Sequence, residues 1–94
     1  MRTEADLRAV WRFCGHHRDL LARSELAGCF YCRRVYPPAE ITEWVDWPAG
    51  TPAAEELDRG VTALCPRCGI DAVLPSAAVR LDAELLAAMH RLFF

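Results

Sequence analysis

The sequence predicts a small α+β domain, a zinc-ribbon-like hairpin core with a helical segment at each end. Three observations predict it. Two Cys-x-x-Cys pairs, Cys29-Phe30-Tyr31-Cys32 and Cys65-Pro66-Arg67-Cys68, are separated by 32 residues. The turn inside such a pair points both sulfurs the same way, so two pairs complete a four-cysteine tetrahedral shell for one structural Zn²⁺. Apolar residues recur at helical spacing near both ends of the chain. Between them, runs rich in β-formers flank the second pair. At 94 residues and 53% hydrophobic content the chain is a single domain, 1–94, with enough apolar material for one core. A core of that size is marginal, and a metal staple is one usual remedy.

The N-terminal helix is expected within 1–24. Thr3 is a hydroxyl cap, and Glu4 and Asp6 place acids in the positive first turn. Leu7, Val10, Trp11, Cys14 and Leu21 share one stripe. Gly15 interrupts the pattern, which is read as one bent helix to about Arg23; two pieces meeting at Gly15-His16-His17 is the alternative. Cys14, on the apolar stripe, is expected as a small buried thiol rather than a ligand. Adjacent helical residues diverge by about 100°, so His16 and His17 cannot readily face one ion. One is expected to pack or cap a helix end, the other to be solvated.

The zinc core is expected over 29–74. Ser24 to Gly28 is read as a turn into the first pair, and Phe30 to Tyr36 as the metal turn and a short strand. Pro37-Pro38 ends the strand, and Pro38 suits the first position of a helix running to Val45. Trp44 and Trp47 are expected as core or as a lid over the metal. Residues 47–60, with Pro48, Gly50 and Pro52, form a mobile surface loop with a helical turn after Ala53. Val61–Leu64 and Ile70–Leu74 are expected to pair as a hairpin around the second cysteine turn, where Pro66 sets one backbone angle and Gly69 permits an open conformation. Asp82 caps a last helix, 82–93, whose face is Leu85, Leu86, Met89, Leu92 and Phe93. That apolar end is expected to dock on the first helix; completing a dimer is the alternative, so the chain is read as a monomer or weak homodimer. His90 is expected as a packed histidine.

Five cysteines, an odd number, without an apolar N-terminal run or an 18-residue apolar stretch, indicate metal ligation in a reducing cytoplasm. All eleven basic residues are arginine. Residues 1–34 carry seven arginines against four acids, whereas 35–66 carry one against six. A net charge of −2 is not the footprint of a nucleic-acid binder.

Cys29-Phe-Tyr-Cys32, Pro38-Ala-Glu-Ile41 and Leu64-Cys65-Pro-Arg-Cys68 resemble the metal frame of McrA-type HNH nucleases, which implies a treble clef. In that family a histidine between the pairs serves the catalytic metal ion and the base. Segment 33–64 contains no histidine, and Glu43-Trp-Val-Asp46 stands in the corresponding stretch. The resemblance therefore implies at most a degenerate nuclease frame without activity. A longer string, adding Gly28, Glu43-Trp44, Thr62-Ala-Leu-Cys-Pro-x-Cys-Gly-Ile-Asp71 and Met89-His90, resembles small bacterial cytoplasmic zinc-finger proteins without an established activity. It departs from them in the enlarged loop 47–60.

Four thiolates close the metal shell and leave no open position for substrate. The expectation is a non-enzymatic module with a structural zinc at Cys29, Cys32, Cys65 and Cys68 that serves protein interaction. Its candidate contact residues are Trp44, Trp47, Glu55 and Glu56 on the acidic segment. The alternative, a nucleic-acid-binding zinc finger, would use Arg33, Arg34 and Arg67 beside the metal turns, with Arg8, Arg12 and Arg23. A thiol redox protein is the remaining enzymatic reading.

Overall fold

Residues 3–94 are described by the computed structural model; Met1 and Arg2 of the expected 1–24 segment lie outside them. The N-terminal segment opens on a reciprocal cap: Asp6 N–H donates to Thr3 Oγ1 at 3.1 Å, and Thr3 N–H to Asp6 Oδ2 at 3.0 Å. Two orphan donors are thereby satisfied, and α1 (Glu4–Trp11) follows. The single bent helix is not formed. A 3-10 turn, Arg12–Cys14, ends the first piece, Gly15 is extended, and His16 takes a left-handed φ of 49° before α2 (Arg18–Ala22).

The cause lies outside the segment. His16 N–H donates to Thr62 Oγ1 at 2.9 Å, and the N–H groups of His17 and Arg18 both reach Val61 O. His17 is buried and held at both ring nitrogens, with Nδ1 2.6 Å from Phe13 O and Nε2 accepting from Ala63 N–H at 3.1 Å. These bonds assign the Nδ1–H tautomer, and a continuous helix would forfeit them. His16 is the solvated one of the pair.

The sheet that carries the first cysteine pair is antiparallel and three-stranded. β1 (Ala27–Cys29) forms a hairpin with β2 (Val35–Tyr36), placing Ala27 opposite Tyr36. Its other edge takes β5 (Val73–Pro75), with Gly28 opposite Leu74. A second sheet joins β3 (Trp44–Val45) to β4 (Thr62–Ala63). The runs around the second pair are therefore not partners in a hairpin: β4 belongs to one sheet and β5 to the other. Across the turn itself, Cys65 N–H donates to Ile70 O at 2.9 Å and Gly69 N–H to Cys65 O at 2.8 Å. β5 is drawn to β1 because Ala27, Gly28 and Cys29 are small and buried and leave a backbone edge to be paired.

The helix expected from Pro38 to Val45 stops after one 3-10 turn, Pro38–Glu40. Trp44 and Val45 are instead extended, where Val45 O accepts from Val61 N–H at 2.8 Å and Glu43 O from Leu64 N–H at 3.0 Å. The excursion 47–60 contains a 3-10 turn, Ala53–Glu55, and the short α3 (Glu56–Arg59). Arg18 ties it down: Nη1 donates to the carbonyls of Leu57, Asp58 and Gly60, while the guanidinium lies 4.4 Å from the Trp44 ring centroid.

The core gathers Leu7, Leu21, Phe30, Tyr36, Val73 and Leu74 with one face of α4 (Ala83–Phe93). Asp82 Oδ1 caps this helix by accepting from Leu85 N–H at 2.7 Å. Leu85, Leu86 and Met89 are buried, Leu92 and Phe93 partly so, and the Trp11 and Phe93 rings stack at 6.0 Å. The last helix thus packs on the first. His90 is packed, its Nδ1 3.2 Å from Phe30 O.

Candidate metal centre

Each cysteine pair sits on a turn of the same construction. Cys29 N–H donates to Arg34 O at 3.0 Å, and Cys65 N–H to Ile70 O at 2.9 Å, so in each turn the first cysteine bonds five residues on. The residue after the second cysteine is left-handed in both, Arg33 at φ 62° and Gly69 at φ 81°. The expected open conformation at Gly69 is present. Its counterpart in the first turn is an arginine, which the sequence pattern does not flag.

The four sulfurs converge. One ligand atom from each of Cys29, Cys32, Cys65 and Cys68 lies within 4.8 Å of all the others. The pairs between turns are closest, Cys29 to Cys68 at 3.6 Å and Cys32 to Cys65 at 3.7 Å. A tetrahedron with about 2.3 Å metal–sulfur bonds has edges of about 3.8 Å, and a disulfide would need about 2.05 Å. These are metal-shell distances. Cys29 and Cys65 are buried, whereas Cys32 and Cys68 are partly exposed, so one side of the cluster faces solvent and the other the core.

The chemistry of the surroundings fits a cation. Burial pushes the Cys29 and Cys68 thiols up, and as thiols they would form a crowded, poorly bonded cluster. At Cys65 burial also opposes the thiolate. It is outweighed by the Tyr36 hydroxyl and by the Arg67 and Cys68 N–H groups, which lower that thiol to about 7. Arg67 N–H points at Cys65 Sγ from 3.4 Å. The Tyr36 hydroxyl is buried and meets no partner at ordinary hydrogen-bond geometry. Burial, then the Cys65 sulfur, raise its own pKa, so it keeps its proton and remains a donor. A metal-bound thiolate at Cys65 would supply the acceptor that this hydroxyl otherwise lacks. The sequence pattern marks Tyr36 only as a strand residue, and its alternation with exposed Val35 is the signal that turns it to the core.

The other candidate residues do not gather at the sulfurs. Arg67 is spent on Glu40, with Nε at 3.0 Å and Nη2 at 2.8 Å from Oε1, and it lies over the Tyr36 ring. Arg33 and Arg34 are exposed. Trp44 is half-buried under Arg18, as core rather than as a metal lid. Trp47 and Glu55 are exposed and Glu56 is half-buried on the acidic excursion. Cys14 is a buried thiol raised to about 11 by burial and then by Asp71, apart from the four-sulfur group. Sequence reasoning missed Arg18, whose three carbonyl contacts could not be read from a pattern.

These features define a small α+β domain with four cysteines gathered at metal-binding distance. Comparison with protein-family models, curated proteins and solved structures found no match. No helix among the described residues is long and apolar enough to cross a membrane.

Proposed function

We propose that this chain is a non-enzymatic structural-zinc module that presents a surface to another protein. The observation that carries the zinc reading is the convergence of four sulfurs from two equivalent turns. With every tetrahedral position supplied by a thiolate, the ion has no site for water or substrate. The ion would join the β1–β2 hairpin to the segment between β4 and β5, fastening one sheet to the other. In zinc-finger peptides such binding supplies about 10 kcal/mol or more of folding free energy.

The contact surface we assign is the acidic excursion with Trp47, Glu55 and Glu56. Trp47 and Glu55 are exposed on it, Glu56 is half-buried, Leu57 is 53% exposed, and Arg18 holds the excursion in place. Nucleic-acid binding is the weaker reading: Arg67 is paired with Glu40, Arg8 with Glu4, and Arg12 lies over Phe13. Elemental analysis should find about one zinc per chain, and chelation should unfold the protein by circular dichroism. Retention of structure after complete metal removal would refute the stapling role. Loss of captured proteins when Trp47, Glu55 and Glu56 are replaced by alanine, with folding intact, would support the surface; unchanged capture would sink it.

A further inference from the structure

A cleft of about 540 Å³, lined by none of the four clustered cysteines, lies between the break in the N-terminal segment, the end of β3 and the end of α4. Its apolar wall is aromatic. Trp11 stacks on Phe93 at 6.0 Å, Phe93 meets Phe30 at 5.9 Å, and Phe30 meets Phe94 at 5.8 Å. Trp11 and Phe94 remain half or more exposed, so ring faces are open to a ligand. The polar side is built by His16, Asp46, Thr62 and Asp71. Thr62, itself buried, accepts from His16 N–H at 2.9 Å and donates to Asp46 Oδ2 at 2.6 Å. It thereby holds two non-glycine residues, His16 at φ 49° and Asp46 at φ 60°, in the left-handed region at the cleft edge. Asp46 Oδ2 also lies 3.9 Å from His16 Nε2. Asp71 makes no ion pair among the described residues.

We propose that this cleft binds an organic cation, a primary ammonium on an apolar stem, with the ammonium between Asp46 and Asp71 and the stem against Trp11, Phe93 and Phe94. Carboxylates and aromatic faces attract the same sign of charge, and here they line one concavity. The one arginine on the lining, Arg12, has its guanidinium 5.3 Å from the Phe13 ring, which is not part of this cleft. An anionic ligand would face two carboxylates against the single guanidinium of Arg12. The volume falls within the ~300–1,000 Å³ range of small-molecule sites. It also admits one lysine side chain from a partner, which is the same chemistry from another source. The site draws on neither the sulfur cluster nor the acidic excursion, so it stands or falls separately from the zinc reading.

The test is two-dimensional amide and indole NMR of the metal-loaded protein titrated with phenethylamine, 2-phenylethanol, phenylacetate and N-acetyl-lysine methylamide. Phenethylamine should shift Trp11 indole N–H and the Gly15, His16 and Thr62 amides saturably, with the alcohol weaker and the acid without effect. If the blocked lysine binds at least as well, the source is a side chain of a partner; if only the arylalkyl amine binds, it is a free small molecule. Asp71→Asn and Asp46→Asn should each weaken binding roughly three- to fivefold, the size of a half-exposed ion pair. Asparagine tolerates the left-handed backbone at 46 and can still accept from Thr62, so both variants should fold. Equal binding of amine and alcohol, undiminished affinity in both variants, or shifts confined to residues outside the cleft would overturn the proposal.

Discussion

Replacing Tyr36 by phenylalanine removes one oxygen from a buried ring and tests whether the sulfur cluster is a thiolate centre. Two outcomes of opposite sign are available. If the hydroxyl stays without an acceptor, as its geometry alone would have it, its burial costs about 1–3 kcal/mol and the phenylalanine variant gains stability. If Cys65 carries a metal-bound thiolate, the hydroxyl donates to a charged acceptor. That bond contributes about 1.5–3 kcal/mol, which the variant loses. Ring packing against the core is unchanged, because Tyr36 is buried and only the hydroxyl is deleted. Urea unfolding of zinc-saturated protein reads the sign directly, through a midpoint shift at constant slope. Competition with a chelator should show zinc affinity lowered about 10- to 100-fold, as expected for an outer-shell partner. A variant that is as stable as the parent, or more so, with unchanged zinc affinity would refute the thiolate partnership and with it the argument that this pocket is shaped for a metal.

His17 is buried, and burial lowers its pKa below 6.5, partly offset by the bond to Phe13 O. NMR titration of the ring should place its midpoint below that of an unfolded histidine. The sign for stability is then fixed: His17 contributes fully above pH 6.5, and that contribution is lost as pH falls from 6.5 through the folded value. Gly60→Ala should destabilise the fold by about 1–3 kcal/mol, measurable by urea unfolding, because a Cβ would sit 2.7 Å from the Trp44 carbonyl carbon and oxygen. Arg33→Gly should stabilise it by about 0.5–1 kcal/mol: relief of a left-handed arginine, about 1–2 kcal/mol, exceeds the added chain entropy of glycine, about 0.5–1 kcal/mol. An unchanged or lowered midpoint in that variant would show the first turn to be unstrained.

What could be read from the sequence was whatever had a local cause. Thr3 and Asp82 announce their helices because capping is settled within three residues, and both caps are present. The cysteine turns were legible because their spacing is itself the geometry. The face Leu85, Leu86 and Met89 was legible because it repeats at 3.6 residues. The failures share a different origin. β1 is Ala-Gly-Cys, three small residues without alternation or β-branching, and it forms a central strand only because β2 and β5 pair on either side. The run from Ala39 to Val45 carries acids and apolar residues at a spacing that suits a helix. The chain leaves the helix there because the N–H groups of Val61 and Leu64 need the carbonyls of Val45 and Glu43. The break at Gly15 is likewise set from 46 residues away, by Thr62 and Ala63.

That origin also explains why two short sheets can coexist in so small a chain. Neither sheet has a strand longer than three residues, and strands that short do not hold together on ladder hydrogen bonds alone. The β3–β4 pair is secured from one side by His17 and Thr62, and the β1-centred sheet by the core face of α4. The segment from Cys65 to Ala72 leaves the first and enters the second. Its cysteine turn is closed by a single backbone pair to Ile70, plus Gly69 N–H to Cys65 O at 2.8 Å. With sulfurs of one turn 3.6 and 3.7 Å from those of the other, four thiolates lacking a counter-ion would repel where the fold needs attachment. A divalent cation would reverse the sign of that interaction at the crossing between sheets. With an ion bound, the four cysteines would act less as an addition to a finished core than as the joint by which two incomplete sheets become one domain.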